Sequence, residues 1–189
     1  SASISPTSTN VNETKEGEIK DTKDLEIVPW IDDAPKNVTT MTLNRLRQKV
    51  KKKKVWAIQE LGTRYKYGRG GAEISLDKAI DNYKKGVILG FPRSMNVMGY
   101  MYDNGEGVSQ NHKLAFKHYQ MGAFKGFDVA QYNLGECYHN GRYVKQSNTK
   151  AREWYNRAAN QGDKDAAKKL KLLDEAERVS KEKKAATEE

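Results

Sequence analysis

The stretch MGYMYDNGEGVSQNHKLAFKHY, residues 98–119, decides the fold. Taken alone, its Asn104-Gly105-Glu106-Gly107 centre admits two familiar readings, a hairpin turn or a phosphate-cradling loop. Set beside the rest of the chain, it is the middle copy of a repeat. Met98-Gly99 echoes Leu61-Gly62 and Leu134-Gly135; Tyr102 echoes Tyr65 and Tyr138; Gly105 echoes Gly68 and Gly141. These steps are 37 and 36 residues. The second half repeats at 36 and 36, through Ala79, Ala115 and Ala151, then Tyr83, Tyr119 and Tyr155, then Gly90, Gly126 and Gly162. The extra residue of the first unit falls between Gly68 and Ala79, where Gly70-Gly71 marks the insertion.

Each unit reads as two helices. Ala57, Leu61 and Tyr65 are spaced i, i+4, i+8 and share one face of a first helix. Ala79 and Tyr83 share a face of a second. Ser75, Asn111 and Ser147 stand four residues before the repeated Ala, and each offers a side-chain oxygen to the orphan amides of a helix start. Gly90, Gly126 and Gly162 suit the positive φ that follows a helix end, and Pro92 suits the first turn of the next helix. Gly62, beside Leu61, costs helix propensity; the close approach of a neighbouring helix is the compensating reason. A helix pair of this size cannot bury its apolar face alone. Stacked units share a continuous core, so the pattern predicts an all-α fold, an α-α solenoid.

The pattern A-x-x-x-L-G-x-x-Y-x-x-G-x-G-V, followed by K-A-x-x-x-Y-x-x-G/A-x-x-x-G, resembles Sel1-like repeats, relatives of tetratricopeptide repeats. Three stretches carry the likeness: Leu134 to Gly141, Gly105-Glu106-Gly107-Val108, and Lys150 to Ala159. It covers residues 57–165, in units 57–93, 94–129 and 130–165. The resemblance implies a non-catalytic protein-interaction scaffold or adaptor, a peripheral or bridging subunit of a larger assembly. Ser94 departs from the leading Ala, and Tyr143 stands where Gly107 predicts a second loop glycine, so the third loop is expected to differ in shape. Beyond 165, Lys171 occupies the Gly position and Asp174 the Tyr position. Residues 166–189 keep a fading apolar stripe and read as a capping helix with a charged tail.

Motifs for chemistry are missing. There is no GxxxxGK[ST], and no strand signal precedes the glycine loops, so neither a nucleotide nor another cofactor is expected. His112 and His118 are six apart and Cys137 and His139 two apart, spacings that place neither pair on one helix face for a metal. Cys137 has no recognisable base and reads as a small buried thiol. As the one cysteine of the chain it allows no intramolecular disulfide, which favours a reducing compartment such as cytosol, nucleus or an organelle interior. No apolar run approaches the roughly 20 residues of a membrane span. No enzyme activity is expected.

The inner face of a tetratricopeptide-like solenoid is lined by first-helix residues, and periodicity places that stripe beside the packed Ala/Leu/Tyr face. In the first unit it takes Trp56, Gln59, Thr63, Lys66 and Tyr67. In the second it takes Arg93, Asn96, Tyr100, Asp103 and Asn104. In the third it takes Val129, Tyr132, Glu136, His139 and Asn140. Aromatic rings interleaved with hydrogen-bonding groups suit a peptide or helix partner; the bland reading is a wet groove with Tyr rings packed on neighbours.

Two segments precede the repeats. The chain carries +9, yet its first 40 residues hold eight acids and four bases, so the positive charge is concentrated downstream. Seven cations, Arg45, Arg47, Lys49, Lys51, Lys52, Lys53 and Lys54, fall in residues 41–56 with no acid among them. Leu43, Leu46 and Val50 share a face, so this is a basic lead-in helix capped by Thr40 or Thr42. Its lysines read as a solvated face, as a nuclear-import signal or as a nucleic-acid contact, the last making a basic RNA- or ribosome-associated factor the alternative function. Residues 1–40 read as an extended, low-complexity arm with one apolar cluster, in which Ile27, Val28, Trp30 and Ile31 are expected to dock on the solenoid or on a partner subunit.

Overall fold

A computed structural model describes residue 35 and residues 37–188. The apolar cluster holding Ile27, Val28, Trp30 and Ile31 lies outside these residues. Eight α-helices follow a short 3-10 turn, Val38–Thr40, and no strand occurs among the described residues. They are α1 (Leu43–Lys51), α2 (Val55–Tyr67), α3 (Leu76–Ile88), α4 (Pro92–Asn104), α5 (His112–Phe124), α6 (Asp128–Asn140), α7 (Asn148–Ala159) and α8 (Lys164–Glu188). Helices pack mainly on their neighbours in sequence, the arrangement of an α-solenoid.

The helix boundaries follow from the repeated residues. Ser75, Asn111 and Ser147 cap α3, α5 and α7 by accepting from the amides of Lys78, Leu114 and Lys150. Each cap residue also donates its own N–H to the repeated tyrosine of the first helix. Ser75 reaches the Tyr65 carbonyl, Asn111 that of Tyr102 and Ser147 that of Tyr138, all at 2.8 Å. One residue thus closes two helix ends, which fixes the angle of the pair. The second helices end in a common motif: at Gly90 the N–H donates to Val87 O and the Phe91 N–H to Gly86 O, a Schellman closure. The same closure ends α1, but there Lys53 takes the left-handed position, φ 54°. Thr42, not Thr40, caps α1.

The core is built from the columns the repeat defines. Ala57, Ala79, Tyr83, Ala115, Tyr119, Ala130, Leu134, Ala151 and Tyr155 are all buried. Each first-helix glycine carries the tyrosine of its own unit. A Cβ at Gly62 would come within 2.8 Å of the Tyr83 ring, at Gly99 within 2.7 Å of Tyr119 and at Gly135 within 2.6 Å of Tyr155. The propensity lost at these glycines is offset by full burial of an aromatic ring, about 2–3 kcal/mol for a large apolar side chain. Ser94, the departure from Ala, is fully buried and donates to Gln59 Oε1 at 2.6 Å, a bond between the first two units.

The expectation of a differently shaped third loop is overturned. Tyr143 takes φ 65°, close to the 70° of Gly107, so the backbone keeps its course through a residue that pays a steric penalty there. The side-chain surroundings explain the exchange. A Cβ at Gly107 would press on Ile80 and Leu76 at 3.0 Å, whereas the Tyr143 ring lies against Phe116 with centroids 5.8 Å apart.

A candidate protein-interaction groove

The first helices α2, α4 and α6 line a concave groove of about 840 Å³. Trp56, Gln59, Thr63, Lys66, Tyr67, Arg93, Asn96, Tyr100, Val129 and Tyr132 all border it. They do not present equally. Trp56 and Gln59 are buried and belong largely to the packing. Thr63 accepts from the Tyr83 hydroxyl at 3.4 Å, and Tyr132 lies on Tyr155. Asn96 Oδ1 accepts from Asn133 Nδ2 at 2.8 Å, and the Arg93 guanidinium rests over the Phe127 ring. The rings offered to solvent are Tyr67 and Tyr100, 53% and 49% exposed.

Lys66 organises these two rings. Its ammonium sits 5.3 Å from the Tyr67 centroid and 5.0 Å from that of Tyr100, and it donates to Glu106 Oε2 at 2.6 Å. Cation–π contact and ion pair hold the rings in place before any ligand arrives. The Arg69 guanidinium also lies over the Tyr67 ring, at 5.0 Å.

The remaining stripe residues sit elsewhere. Asp103 and Glu136 border an adjoining hollow of about 220 Å³ between the second and third units. Asp103 is held by His112 Nδ1 at 2.8 Å and Arg142 at 2.5 Å. Glu136 accepts from the Tyr155 hydroxyl and pairs with Lys169 at 2.8 Å; burial pushes its carboxyl up, but these donors outweigh it and the net shift is downward. His139 lies away from both spaces, with Nδ1 3.2 Å from Asn148 Oδ1, and Asn104 and Asn140 bond within their own helices.

Several groove residues escape a first-helix stripe. Phe91 and Phe127 are the N-cap residues of α4 and α6, 36 apart, a column that the repeat contains. Asp163 and Asp165 come from the start of α8. Val38 and Thr39 close the first end of the groove and are held by Arg64, a fully buried cation. Its guanidinium donates to the carbonyls of Met41 at 2.6 Å, Val38 at 2.8 Å and Thr39 at 3.3 Å, while its Nε pairs with Glu60 at 2.9 Å. Arg64 therefore clips the chain entering the repeats to the wall of the first unit.

Among the described residues no cluster of His, Cys, Asp or Glu is arranged for a metal ion, and burial pushes the Cys137 thiol up to about 12, the opposite of an activated nucleophile.

The family model for the Sel1 repeat matches residues 57–91, 92–126 and 128–163. The chain belongs to the Sel1 repeat family. A Sel1 repeat protein from Oxalobacter formigenes is similar at 38% identity and TM-score 0.64, over 68% of this chain and 96% of that one. The protective antigen c5321 of uropathogenic Escherichia coli, with an SLR fold, is similar at 35% identity and TM-score 0.64; the match covers 67% of this chain and 27% of the antigen. Cysteine rich protein B of Helicobacter pylori shares the fold at 18% identity and TM-score 0.55, over 68% and 98%. None of the curated proteins matches the chain. Sel1 repeats mediate protein–protein interactions, and the family is typically non-catalytic. No helix among the described residues is long and apolar enough to cross a membrane.

Proposed function

We propose that this chain is an adaptor that receives a peptide or helix of a partner protein in its concave groove, as a peripheral or bridging subunit of a larger assembly. The observation that supports this reading most is the Tyr67–Lys66–Tyr100 platform. Two half-exposed aromatic rings, fixed by a buried and paired lysine, offer area that a ligand covers at little ordering cost. The test is affinity purification of partners on the full chain and on its Tyr67→Ala/Tyr100→Ala variant. Both rings are solvent-facing, so helicity stays unchanged while partner recovery falls at least tenfold. Equal recovery by the variant ends the groove reading.

A second reading keeps one specific support. Lys51, Lys52, Lys53 and Lys54 are all exposed, and none pairs with an acid among the described residues. Arg47 differs, donating to the Tyr65 hydroxyl at 3.0 Å. Contact with RNA through this cluster would weaken steeply with salt. A flat salt response, or no retention of RNA, removes it.

A further inference from the structure

We propose that the groove is occupied in cis by residues 25–31 of this same chain, with Trp30 seated on the Tyr67–Lys66–Tyr100 platform. This rests on the reading of the groove as a binding site and names its first ligand. Four observations converge on it.

The route comes first. Arg64 fastens the carbonyls of Val38, Thr39 and Met41, and Val38 and Thr39 themselves border the groove. The chain that precedes them therefore starts at the groove's own rim. The reach is right as well. From Val38 back to Trp30 is eight residues, up to about 26 Å when extended. Adjacent helices pack 8–10 Å apart, so the way from α2 across α4 to α6 is on the order of 20 Å.

The segment has chemistry that suits an aromatic groove. Leu25-Glu26-Ile27-Val28-Pro29-Trp30-Ile31 is the one apolar cluster of the first 40 residues and the only place there with an aromatic ring. Pro29 fixes its own φ and biases Val28 toward extended backbone, so an extended occupant is partly ordered beforehand. Charge agrees. Residues 1–34 hold eight acids against three bases, a net −5, while the rest of the chain carries +14 of the +9 total. Glu26 lies within the cluster and Asp32 and Asp33 follow it, while Lys66 and Arg69 lie over the Tyr67 ring. A short tether places the segment at millimolar effective concentration, so modest contacts suffice. A partner entering the groove would then have to displace it.

The experiment compares amide NMR spectra of the full chain with those of its Ile27→Ser/Trp30→Ala variant. The substituted positions precede the three repeats in sequence, so the repeat columns that build the solenoid are untouched. Expected are shifts at the amides of Thr63, Tyr67, Asn96 and Tyr100. A free peptide of residues 24–33, added to the variant, should restore the original positions, at a concentration at least tenfold lower than wild type needs to bind it. Identical groove spectra in the two chains overturn the proposal. So do shifts confined to Lys51–Lys54, which would put the arm on the basic cluster, and shifts that grow with protein concentration, which would mean a second copy. Flat spectra with partner capture still lost in the Tyr67/Tyr100 variant remove this inference alone. Arm-dependent shifts with capture unaffected by that variant remove the adaptor reading alone.

Discussion

The Tyr155 ring lies directly on Gly135, so close that a β-carbon on the glycine would stand 2.6 Å from two ring carbons. The pair joins the two helices of the third unit, and Gly62–Tyr83 and Gly99–Tyr119 do the same in the others. Glycine-to-alanine exchange inside a helix ordinarily stabilises by about 1 kcal/mol. Here Gly135→Ala must displace a fully buried ring, and the expected result is a net loss of about 1–3 kcal/mol in urea denaturation. A stabilised variant would show that the ring shifts freely and that this contact does not set the helix spacing.

Neighbouring units are joined by ion pairs of opposite polarity. Lys66 in the first unit pairs with Glu106 in the loop of the second, and in the matching columns Asp103 pairs with Arg142. The alternation discriminates register, because a unit shifted by one place would set like charges together. Lys66→Glu should cost about 2–4 kcal/mol, since the Lys66 side chain is only 6% exposed. Lys66→Glu/Glu106→Lys should recover at least about 1 kcal/mol of that in a double-mutant cycle. Zero coupling between the two sites would sink the register argument.

What the sequence revealed and what it hid separate along the same columns. Gly–Tyr pairs, helix caps and loop glycines recur at fixed spacing, so the solenoid was readable from the period alone. The Arg64 clip was not. Its partners are backbone carbonyls 23 to 26 residues upstream, which leave no trace in residue type. The only clue is that Arg64 shares a column with Met101 and Cys137, a charge in an otherwise buried apolar position. Of the inner stripe, Tyr67 and Tyr100 border the groove and are half exposed, but periodicity could not show that Gln59 and Trp56 are buried or that Asp103 and Glu136 are tied up by partners in other elements. Tyr143 misled because residue type suggests φ, while here packing against Phe116 holds a tyrosine in a glycine's conformation.

Lys53 ends α1 in the left-handed region at φ 54° and is exposed. Non-glycine residues pay roughly 1 kcal/mol there. Lys53→Gly should therefore stabilise the chain by about 0.5–1 kcal/mol, read from thermal or urea midpoints. A loss of stability would mean that the lysine makes a contact worth more than its backbone penalty.

Arg64→Ala removes the clip and leaves the Glu60 carboxylate and three carbonyls without their donor. Losing a buried paired cation costs about 3–5 kcal/mol. The effect should be uneven: amide exchange should rise most around Val38 to Leu46, ahead of α4 to α7. Uniform exchange across the chain would show that Arg64 supports the whole solenoid rather than its entrance.

His118 makes the fold acid-sensitive before its carboxylates do. The imidazole stacks on Tyr102 with centroids 5.5 Å apart, and its Nδ1 is buried with no hydrogen-bond partner among the described residues. Burial lowers its pKa to about 4, against about 6.5 for an unperturbed histidine. The unfolded chain thus takes the proton first. The neutral ring's contribution is complete above pH 6.5 and is lost as pH falls toward 4, on the order of 2–3 kcal/mol by pH 4.5. Glu136, held below its usual range, acts in the same direction but only at lower pH, as its own carboxyl protonates. His118→Phe keeps an aromatic ring against Tyr102 and removes the titration. Urea midpoints of this variant should be nearly level from pH 7 to 4.5 while those of the parent chain decline. Parallel declines in the two proteins would place the acid sensitivity on other groups.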